Sequence, residues 1–457
     1  MATSASGKRN KRIIQVVAGI LLAALACGVF YIHSLLPIIT GYPAKYLCSA
    51  VFVSGREQAE VEAMDLHFSF IRYTTNTVDF QDSSVTSTFL WGKSKAIYRK
   101  GFGATLLRGT DEAQLRKIQF PVIPETYRQD TVAWPLGDVM PESAANTDQD
   151  ELDAITEKLM DDDGYGGHAF AFLVLHRGVP VAEAYQPEFS AKTRFLSWSM
   201  AKSVTNTLAG IMVKENRWDI NQPVDLQEWK NDERRTITIN DLMQMQSGLR
   251  WNEDYGNRSD VTLMLYDEND FARFAFSQPL DHPAGTHWYY SSGSVNVVNY
   301  LMRKTIGNDA DYYRFAQTRL FNRIGMPDAV FEVDASGTQV GSSYLYATAR
   351  DYARYGLLYL QDGIFNGERI LPEGWVSYTT NPASDSKGKY GSLFWLNRDG
   401  KYPDVPEDMY SCNGHDGQQI FIIPSKELVV VVLGYSPKPD RVMDFNKLLG
   451  DILAAIQ

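Results

Sequence analysis

A serine followed three residues later by a lysine is the pair of side chains best suited to nucleophilic chemistry in this chain. The pair is Ser199 and Lys202, within the stretch Phe-Leu-Ser-Trp-Ser-Met-Ala-Lys-Ser at 195–203. Residues three apart on a helix are neighbours, so the amine can reach the hydroxyl. A helix N-terminus also offers unpaired N–H groups and positive dipole charge to a developing oxyanion. The spacing therefore indicates a serine nucleophile with its base.

The residues that follow predict the helix that this geometry requires. Apolar side chains recur with the spacing of one buried helical face, at Met200, Val204, Leu208 and Ile211. Ser197 is a plausible N-cap, which would place Ser199 in the first turn. The same pattern occurs at 384–387 and 386–389, in a polar stretch typical of a solvated loop. A lone match is more often an exposed helix end than a catalytic pair, so Ser199 needs support from further motifs.

A second candidate group lies in the aromatic stretch 288–294, where Tyr290 is followed by Ser291 and Ser292. A tyrosine hydroxyl close to a lysine can relay protons to a leaving group. Most tyrosines are simply packed aromatic residues, and that alternative stays open for Tyr290 until its position is known.

A third candidate is the sequence Gly-His-Asp-Gly at 414–417, just before an apolar strand. The small Gly417 would let a substrate approach the strand backbone, and the N–H of Gln418 could be an oxyanion donor. His415 has no second histidine at a zinc-binding spacing, and the aspartates at 161–163 lack the spacing of a calcium loop. We expect no metal and no cofactor. The absence of a Gly-x-Ser-x-Gly elbow counts against an α/β-hydrolase.

Composition describes a globular protein with a substantial core: 457 residues, 44% hydrophobic and 12% aromatic. The net charge of −11 argues against nucleic acid as the main partner. The three cysteines, Cys27, Cys48 and Cys412, suggest neither a disulfide framework nor a zinc site, although a bond between Cys48 and Cys412 stays open. Oligomeric state cannot be predicted.

The N-terminus predicts a membrane anchor. A basic cluster of Lys8, Arg9, Lys11 and Arg12 precedes an apolar run over 13–31, which continues less purely to 39. About 20 residues span a bilayer, whereas secretory h-regions have roughly 7–15, so a signal anchor is favoured over a cleaved peptide. The positive charges predict that 1–12 is cytoplasmic and that the catalytic domain is extracytoplasmic, hence periplasmic in a bacterium. Cleavage after Ala26 and lipidation at Cys27 remain alternatives.

Four segments are predicted: a cytoplasmic tail (1–12), a transmembrane signal anchor (13–39), a small β-rich and extended region (40–150) and a catalytic domain (151–457). Within the third, alternating residues predict strands at 65–73, 85–90 and 96–107. Proline-rich 110–150 is interpreted as an extended wrap ending in the acidic linker 146–151. Its expected role is structural, or that of a partial lid.

The catalytic domain is predicted to be α+β. Apolar runs predict β-hairpins at 169–185 and 419–432. Helices are expected between and after them, at 236–249, 271–276, 295–304, 309–324, 350–360 and 441–456. Strands at both ends of a domain imply one sheet built from the two halves of the chain.

The order Ser-x-x-Lys, Tyr-x-Ser and His-x-Gly before a strand pair resembles the serine β-lactamase and penicillin-binding protein superfamily. The stretches 197–203, 242–249, 253–255 and 347–353 are similar to its esterase and 6-aminohexanoate-dimer hydrolase branch. The resemblance implies an antiparallel sheet flanked by helices, with a helical insert. It also implies Ser199 as nucleophile, Lys202 as base, Tyr290 as proton relay, and the N–H groups of Ser199 and Gln418 as oxyanion hole, with Ser292, His415 and Gly417 at the substrate.

Two departures point to the substrate. β-Lactamases and D-alanyl peptidases usually carry Asn where this chain has Ser292, and Lys-Thr-Gly where it has 415–417. A missing lysine removes the cation that would pair with a substrate carboxylate. We therefore expect a membrane-anchored serine hydrolase acting on esters or small amides. The alternatives are a β-lactamase or D-alanyl peptidase acting on peptidoglycan-like substrates, and a catalytically silent homologue that binds envelope ligands.

Overall fold

The structure, a computed structural model, describes residues 3–124, 127–141, 147–161, 164–437 and 441–456, with side chains from residue 13 onward. The helices are α1 (Thr3–Ser49), α2 (Gln58–Met64), α3 (Glu112–Lys117), α4 (Gln149–Met160), α5 (Met200–Lys214), α6 (Ile239–Met243), α7 (Asp260–Tyr266), α8 (Phe271–Phe276), α9 (Ser292–Ile306), α10 (Asp309–Arg319), α11 (Ala349–Leu360), α12 (Trp375–Thr379) and α13 (Phe445–Ala455). The strands are β1 (Thr75–Asp79), β2 (Ser84–Phe89), β3 (Gly92–Arg99), β4 (Gly103–Leu106), β5 (Ala169–His176), β6 (Val179–Tyr185), β7 (Phe195–Leu196), β8 (Val330–Phe331), β9 (Leu345–Ala347), β10 (Ile364–Phe365), β11 (Glu368–Arg369), β12 (Trp395–Leu396), β13 (Tyr410–Asn413), β14 (Gln419–Ile423) and β15 (Leu428–Gly434).

The largest sheet joins the two ends of the region 151–457, as the sequence predicts. Its order is β12-β13-β14-β15-β5-β6, and every neighbouring pair is antiparallel. Strands β5, β14 and β15 are buried along their whole length. Continuous apolar runs suit strands that are covered on both faces.

Alternate residues of the central strands enter two separate cores, because successive side chains of a strand point to opposite faces. Phe172 and Val174 pack with α4 and α13. Leu173 and Leu175 face the larger core, where α11 covers β5, β14 and β15. This larger core also contains α5 and α9, the helices that carry the candidate site.

A small antiparallel sheet, β1-β2-β3-β4, forms part of the region 40–150. It packs mainly against α1, which lies along β2, β3 and β4. The structure therefore joins this region to the N-terminal helix. The helix contributes Ala44, Leu47 and Cys48 to the larger core, and the π-helical turn after it adds Ala50 and Val53.

Helix α1 changes its environment along its length. All described side chains from 13 to 33 are exposed, whereas burial begins at Leu36 and continues through Ser49. The helix is long and apolar enough to cross a membrane by length and composition. The exposed stretch of about 20 residues corresponds to roughly 30 Å, the thickness of a hydrocarbon core.

One predicted strand does not form, and several predicted helix ends are wrong. Residues 65–73 form no strand: the Asp65 carboxylate is buried and accepts hydrogen bonds from Arg56 and Tyr46, and Ser69 has φ 43°, outside the extended region. The last helix begins at Phe445 instead of residue 441, because Asp444 caps it by accepting from Lys447 N.

Two other helix predictions also need correction. The helix expected to end at Gly248 ends at Met243, and Gly248 instead has φ 73°. A Cβ there would lie 1.9 Å from His282 O, so only glycine fits this turn. The helix predicted over 309–324 stops at Arg319 and is followed by a separate 3₁₀ turn.

Two further sequence interpretations can be compared with the structure. Cys48 and Cys412 are buried free thiols, so they do not pair. The residues 146, 162 and 163, which belong to the predicted linker and acidic turn, lie outside the described residues.

A buried ion pair connects α1 to the main body. The Lys45 amine bonds the carboxylate of Glu332, whose side chain has 0% exposure. Glu332 also accepts from Ser49 Oγ at 2.9 Å and from the backbone N of Ala104. One carboxylate therefore holds α1, β4 and the segment after β8 together.

We expect Glu332→Ala to destabilise the protein by about 3–5 kcal/mol, because it leaves a buried ammonium without its partner. Thermal unfolding of the full chain in detergent measures the effect. Asp130→Ala is the matched control: it removes an exposed carboxylate paired with Arg128, and we expect no measurable change. Equal effects of the two substitutions would contradict the role assigned to Glu332.

Candidate functional site

The nucleophile candidate sits at a sharp turn between a strand and a helix. Strand β7 pairs with β9, and the Ser197 N–H then donates to Leu345 O at 2.8 Å. Helix α5 begins at Met200, so Ser199 itself holds the N-cap position. The prediction of Ser197 as N-cap is wrong, because its hydroxyl donates to Trp198 O and accepts from Leu345 N.

Trp198 makes this turn with φ 45°, a conformation that is unusual for a bulky residue. Its ring is held on both sides. Tyr42 and Tyr46 of α1 stack on it at centroid distances of 6.3 and 6.0 Å, and His415 contacts it edge to face at 5.7 Å. The turn before Ser199 is therefore supported by α1 as well as by the catalytic region.

Lys202 is 1% exposed and lies among hydrogen-bond acceptors. Its amine donates to Ser199 Oγ at 3.0 Å, to Ser292 Oγ at 2.9 Å and to Ser342 O at 2.8 Å. Burial lowers the pKa of Lys202 to about 8, while the charge of Glu253 acts in the opposite direction. An amine with this pKa is partly neutral near physiological pH and can accept a proton.

The Ser342 carbonyl reaches Lys202 because the chain before it lies very close to α5 and α9. A Cβ on Gly341 would lie 1.8 Å from Asn299 Nδ2 and 2.3 Å from Thr205 Oγ1, so glycine is required there. No sequence motif marks Ser342, since a backbone carbonyl can come from any residue type.

Ser292 connects the lysine to a carboxylate that the sequence motifs did not assign to the site. Its backbone N–H donates to Glu253 Oε2 at 2.9 Å, and its hydroxyl donates to Glu253 Oε1. Trp251 Nε1 and the Tyr255 hydroxyl also donate to this carboxylate. Glu253 thus receives four hydrogen bonds and orients Ser292, whose oxygen faces Lys202.

Glu253 and Tyr255 belong to the stretch 253–255, which the sequence analysis used only as a sign of family resemblance. The signal available from sequence was an acidic residue beside aromatic ones in a loop. Nothing in that pattern identifies the serine that it contacts, because Ser292 is 39 residues away in the chain.

Tyr290 completes the cluster around the nucleophile. The Lys202 amine lies 4.9 Å from the centroid of its ring, and the Ser199 hydroxyl acts to lower the pKa of Tyr290. Burial, with a further contribution from Glu253, raises the pKa of Tyr290 far above its usual value. The group is therefore a phenol at neutral pH and acts as a hydrogen donor. Tyr390 and Trp395 pack against its ring.

The segment 414–418 lies beside Trp198 through the ring of His415. His415 is half exposed, stacks on Tyr255 at 5.5 Å, and has Nε2 3.2 Å from Asp416 Oδ1. Gly417 has φ 88°, and a Cβ there would meet Ser436 at 3.0 Å. Its small size accommodates a tight turn of the chain itself, not only an approaching substrate.

Gln418 directs its side chain away from the nucleophile. The side-chain amide donates to Gly434 O and accepts from Gly434 N at 3.1 Å, which extends the pairing of β14 with β15. The backbone N–H groups of Gln418 and Ser199 donate to no acceptor among the described residues. Unpaired backbone donors of this kind are what an oxyanion hole requires.

The structure brings Ser199, Lys202, Tyr290 and Ser292 into direct contact, and places 415–418 next to Trp198. The described residues contain no group of three or more His, Cys, Asp or Glu side chains able to hold a metal ion. The cluster has the parts for acyl transfer: a hydroxyl, a buried amine of lowered pKa, a phenol and unpaired backbone donors.

Comparisons with known proteins identify the family of this chain. A sequence model of the Beta-lactamase family matches residues 152–453. The 6-aminohexanoate-dimer hydrolase of Paenarthrobacter ureafaciens is 27% identical over 297 residues, which cover 59% of this chain and 73% of that protein.

Two solved structures show the same fold. A putative 6-aminohexanoate-dimer hydrolase from Bacillus anthracis superposes with TM-score 0.57 at 22% identity, covering 72% of this chain and 88% of its own. A family VIII carboxylesterase superposes with TM-score 0.53 at 15% identity, covering 69% and 98%. The chain has a mixed α/β, β-lactamase-like fold with antiparallel sheets, and it belongs to the β-lactamase family of the serine β-lactamase and penicillin-binding protein superfamily.

Proposed function

We propose that this protein is a membrane-anchored serine hydrolase that cleaves esters or small amides through an acyl-enzyme on Ser199. The observation that carries the proposal is the buried Lys202 amine, 3.0 Å from Ser199 Oγ and with a pKa lowered to about 8. A buried lysine with a purely structural role would stay protonated and pair with a carboxylate. Lys202 instead contacts two hydroxyls and a carbonyl.

In this mechanism neutral Lys202 accepts the proton of Ser199 as Oγ attacks the substrate carbonyl carbon. The N–H groups of Ser199 and Gln418 stabilise the oxyanion. Tyr290, a phenol, donates its proton to the leaving alkoxide or amine and regains one from Lys202. Water then hydrolyses the ester formed on Ser199. Ser292, held by Glu253, keeps the lysine in place through each proton transfer.

The substrate class follows from the charges around the cluster. His415 occupies the position where β-lactamases and D-alanyl peptidases usually carry a lysine, and it lies against Asp416. A substrate carboxylate would therefore meet a neighbouring carboxylate instead of a fixed cation. This favours esters and amides without a carboxylate at that end. The similarity to a 6-aminohexanoate-dimer hydrolase makes small linear amides the first amide substrates to test.

Anchoring is the second part of the proposal. Residues 1–12 would be the cytoplasmic tail and 13–39 the anchor, followed by 40–150 and the hydrolase domain 151–457 outside the cytoplasm. The uniformly exposed stretch 13–33 supports the anchor. The part of the proposed anchor 13–39 that can face lipid is this stretch, because Leu36 and Ile39 are buried against the protein.

Ser199→Ala is expected to abolish labelling by a fluorophosphonate probe and hydrolysis of p-nitrophenyl butyrate, because it removes the attacking oxygen. Gel fluorescence and release of p-nitrophenol measure the two effects. Ser384→Ala is the matched control: Ser384 begins another Ser-x-x-Lys sequence, in an exposed loop, and should leave both signals unchanged. Labelling of Ser199→Ala would end the proposal. A panel of esters, 6-aminohexanoate oligomers, D-Ala peptides and nitrocefin would then identify the substrate class.

The rate of fluorophosphonate labelling is expected to rise from pH 6, to reach half its maximum near pH 8 and to level off above about pH 9. The reason is that only the neutral amine of Lys202 accepts a proton, and its pKa is about 8. Second-order labelling rates across pH 6–10 measure this profile. Lys202→Arg should lower the rate by about 10²-fold or more and remove the rise, because its cation does not deprotonate. A rate that falls with rising pH would contradict Lys202 as base.

Glu253→Gln is expected to move the midpoint of this pH profile to lower pH. The carboxylate charge raises the pKa of Lys202, and the amide removes that charge while keeping the shape. Its carbonyl can still accept from Ser292 N, and its NH₂ group can donate to the hydroxyls. Asp254→Asn, next in the chain but exposed, should leave the midpoint unchanged. A lower labelling rate with an unchanged midpoint of the pH profile would show that Glu253 acts only through folding.

A further inference from the structure

A cluster of exposed apolar side chains lies at one end of the small sheet. It consists of Phe70, Tyr73, Leu90 and Trp91, here called the apolar rim, with exposures between 54% and 65%. Leu90 and Trp91 form the turn of the β2–β3 hairpin, and Thr75 pairs with Thr88, which brings Tyr73 to the same end. The Phe70 ring contacts Phe89 at 6.3 Å.

The apolar rim lies beside α1 at the point where the exposed part of the helix ends. Trp91 Nε1 donates to His33 Nδ1 at 3.1 Å. The Leu36 side chain packs on Gly92, where a Cβ would be only 2.8 Å away. Residue 33 is the last of the continuously exposed stretch, and Leu36 is the first buried apolar residue after it. The rim is therefore level with one end of the proposed span.

We propose that the apolar rim inserts into the headgroup region of the extracytoplasmic leaflet of a phospholipid bilayer, so that the catalytic domain rests on the membrane surface. This rests on the anchoring part of the proposed function. Tryptophan and tyrosine are enriched at membrane interfaces, where an apolar ring and a polar N–H or O–H are both satisfied. Arg72 and Lys93 are exposed beside the rim and can contact lipid phosphates.

The geometry of α1 distinguishes this end of the sheet from the other. The helix runs along β3: Leu36 lies at Gly92, Thr40 bonds Ser94, and Phe52, just past the helix end, stacks on Tyr98. Residues 36 and 52 are about 24 Å apart at helical rise. Phe80 contacts Phe52, so the β1–β2 turn faces away from the bilayer and serves as an internal control.

Contact of the apolar rim with the bilayer would also fix the height of the candidate active site above the membrane surface. Tyr42 and Tyr46, which stack on Trp198, lie 9 and 13 residues beyond His33 on the same helix. Helical rise places them about 14–20 Å above the interface. Contact at the rim as well as at the helix would prevent tilting, and Ser199 would stay at a fixed height close to the surface.

The test uses the full chain in phosphatidylcholine nanodiscs with an environment-sensitive NBD label on single cysteines. Leu90→Cys reports the rim, Gln81→Cys the opposite turn, and Leu22→Cys the span, each with Cys27→Ser; Cys48 and Cys412 are buried and stay unlabelled. We expect position 22 to be quenched by deep doxyl-lipids and position 90 by shallow ones. Position 81 should remain unquenched and keep the emission of a label in water.

The outcomes separate the two proposals. Quenching at 22 with none at 90 would overturn the apolar rim while leaving the anchor intact. Equal quenching at 81 and 90 would also overturn it, since the domain would then have no preferred face. An unquenched label at 22 would overturn the anchor, and the rim with it. Tyr73→Cys, at the same end of the sheet, replaces Leu90→Cys if that variant does not fold.

Discussion

The candidate site depends on one unfavourable burial: the Lys202 amine lies inside the protein without a directly bonded carboxylate. Removing an ammonium from water costs several kcal/mol, and hydroxyls and a carbonyl offset this less well than a charged partner would. The consequence is the lowered pKa that gives Lys202 the capacity to act as a base. Glu253 lies one hydroxyl further away, beyond Ser292, so its charge moderates the shift without forming an ion pair. A carboxylate in place of Ser292 would bond the ammonium directly and keep it protonated.

Local patterns predicted the elements that carry this lysine. The apolar periodicity after Ser199 predicted α5, and the two apolar hairpins predicted the sheet that joins the ends of the region 151–457. Element ends were less predictable, because they depend on contacts distant in sequence. Ser197 has the chemistry of an N-cap, but β9 uses its hydroxyl. Residues 65–73 alternate apolar and polar residues as a strand does. Asp65 instead accepts hydrogen bonds from Tyr46 of α1 and from Arg56, which lies after that helix.

The same limit applies to the site. Ser199, Lys202 and Tyr290 could be identified from sequence because nucleophile, base and phenol belong to short motifs. Glu253 and the Ser342 carbonyl could not, since the first acts through a serine far along the chain and the second is a backbone atom. His415 was assigned to the substrate by resemblance, and the N–H of Gln418 was predicted as an oxyanion donor from its place before a strand. The structure shows the Gln418 side chain bonded to Gly434, so only its backbone N–H can face a substrate.

Residues outside the family-matched region 152–453 help to hold the turn that presents Ser199. Trp198 has a left-handed backbone conformation, which costs about 1–3 kcal/mol. Aromatic contacts contribute about 0.5–1.5 kcal/mol each beyond the area they bury. Four rings contact Trp198, those of Tyr42, Tyr46, Tyr344 and His415. Together they can offset the strain, and two of the four come from α1. Because the exposed half of that helix is the proposed membrane span, the element that would position the protein on a bilayer also supports its nucleophile. Loss of α1 would remove this support, so α1 and the region 151–457 form one structural unit.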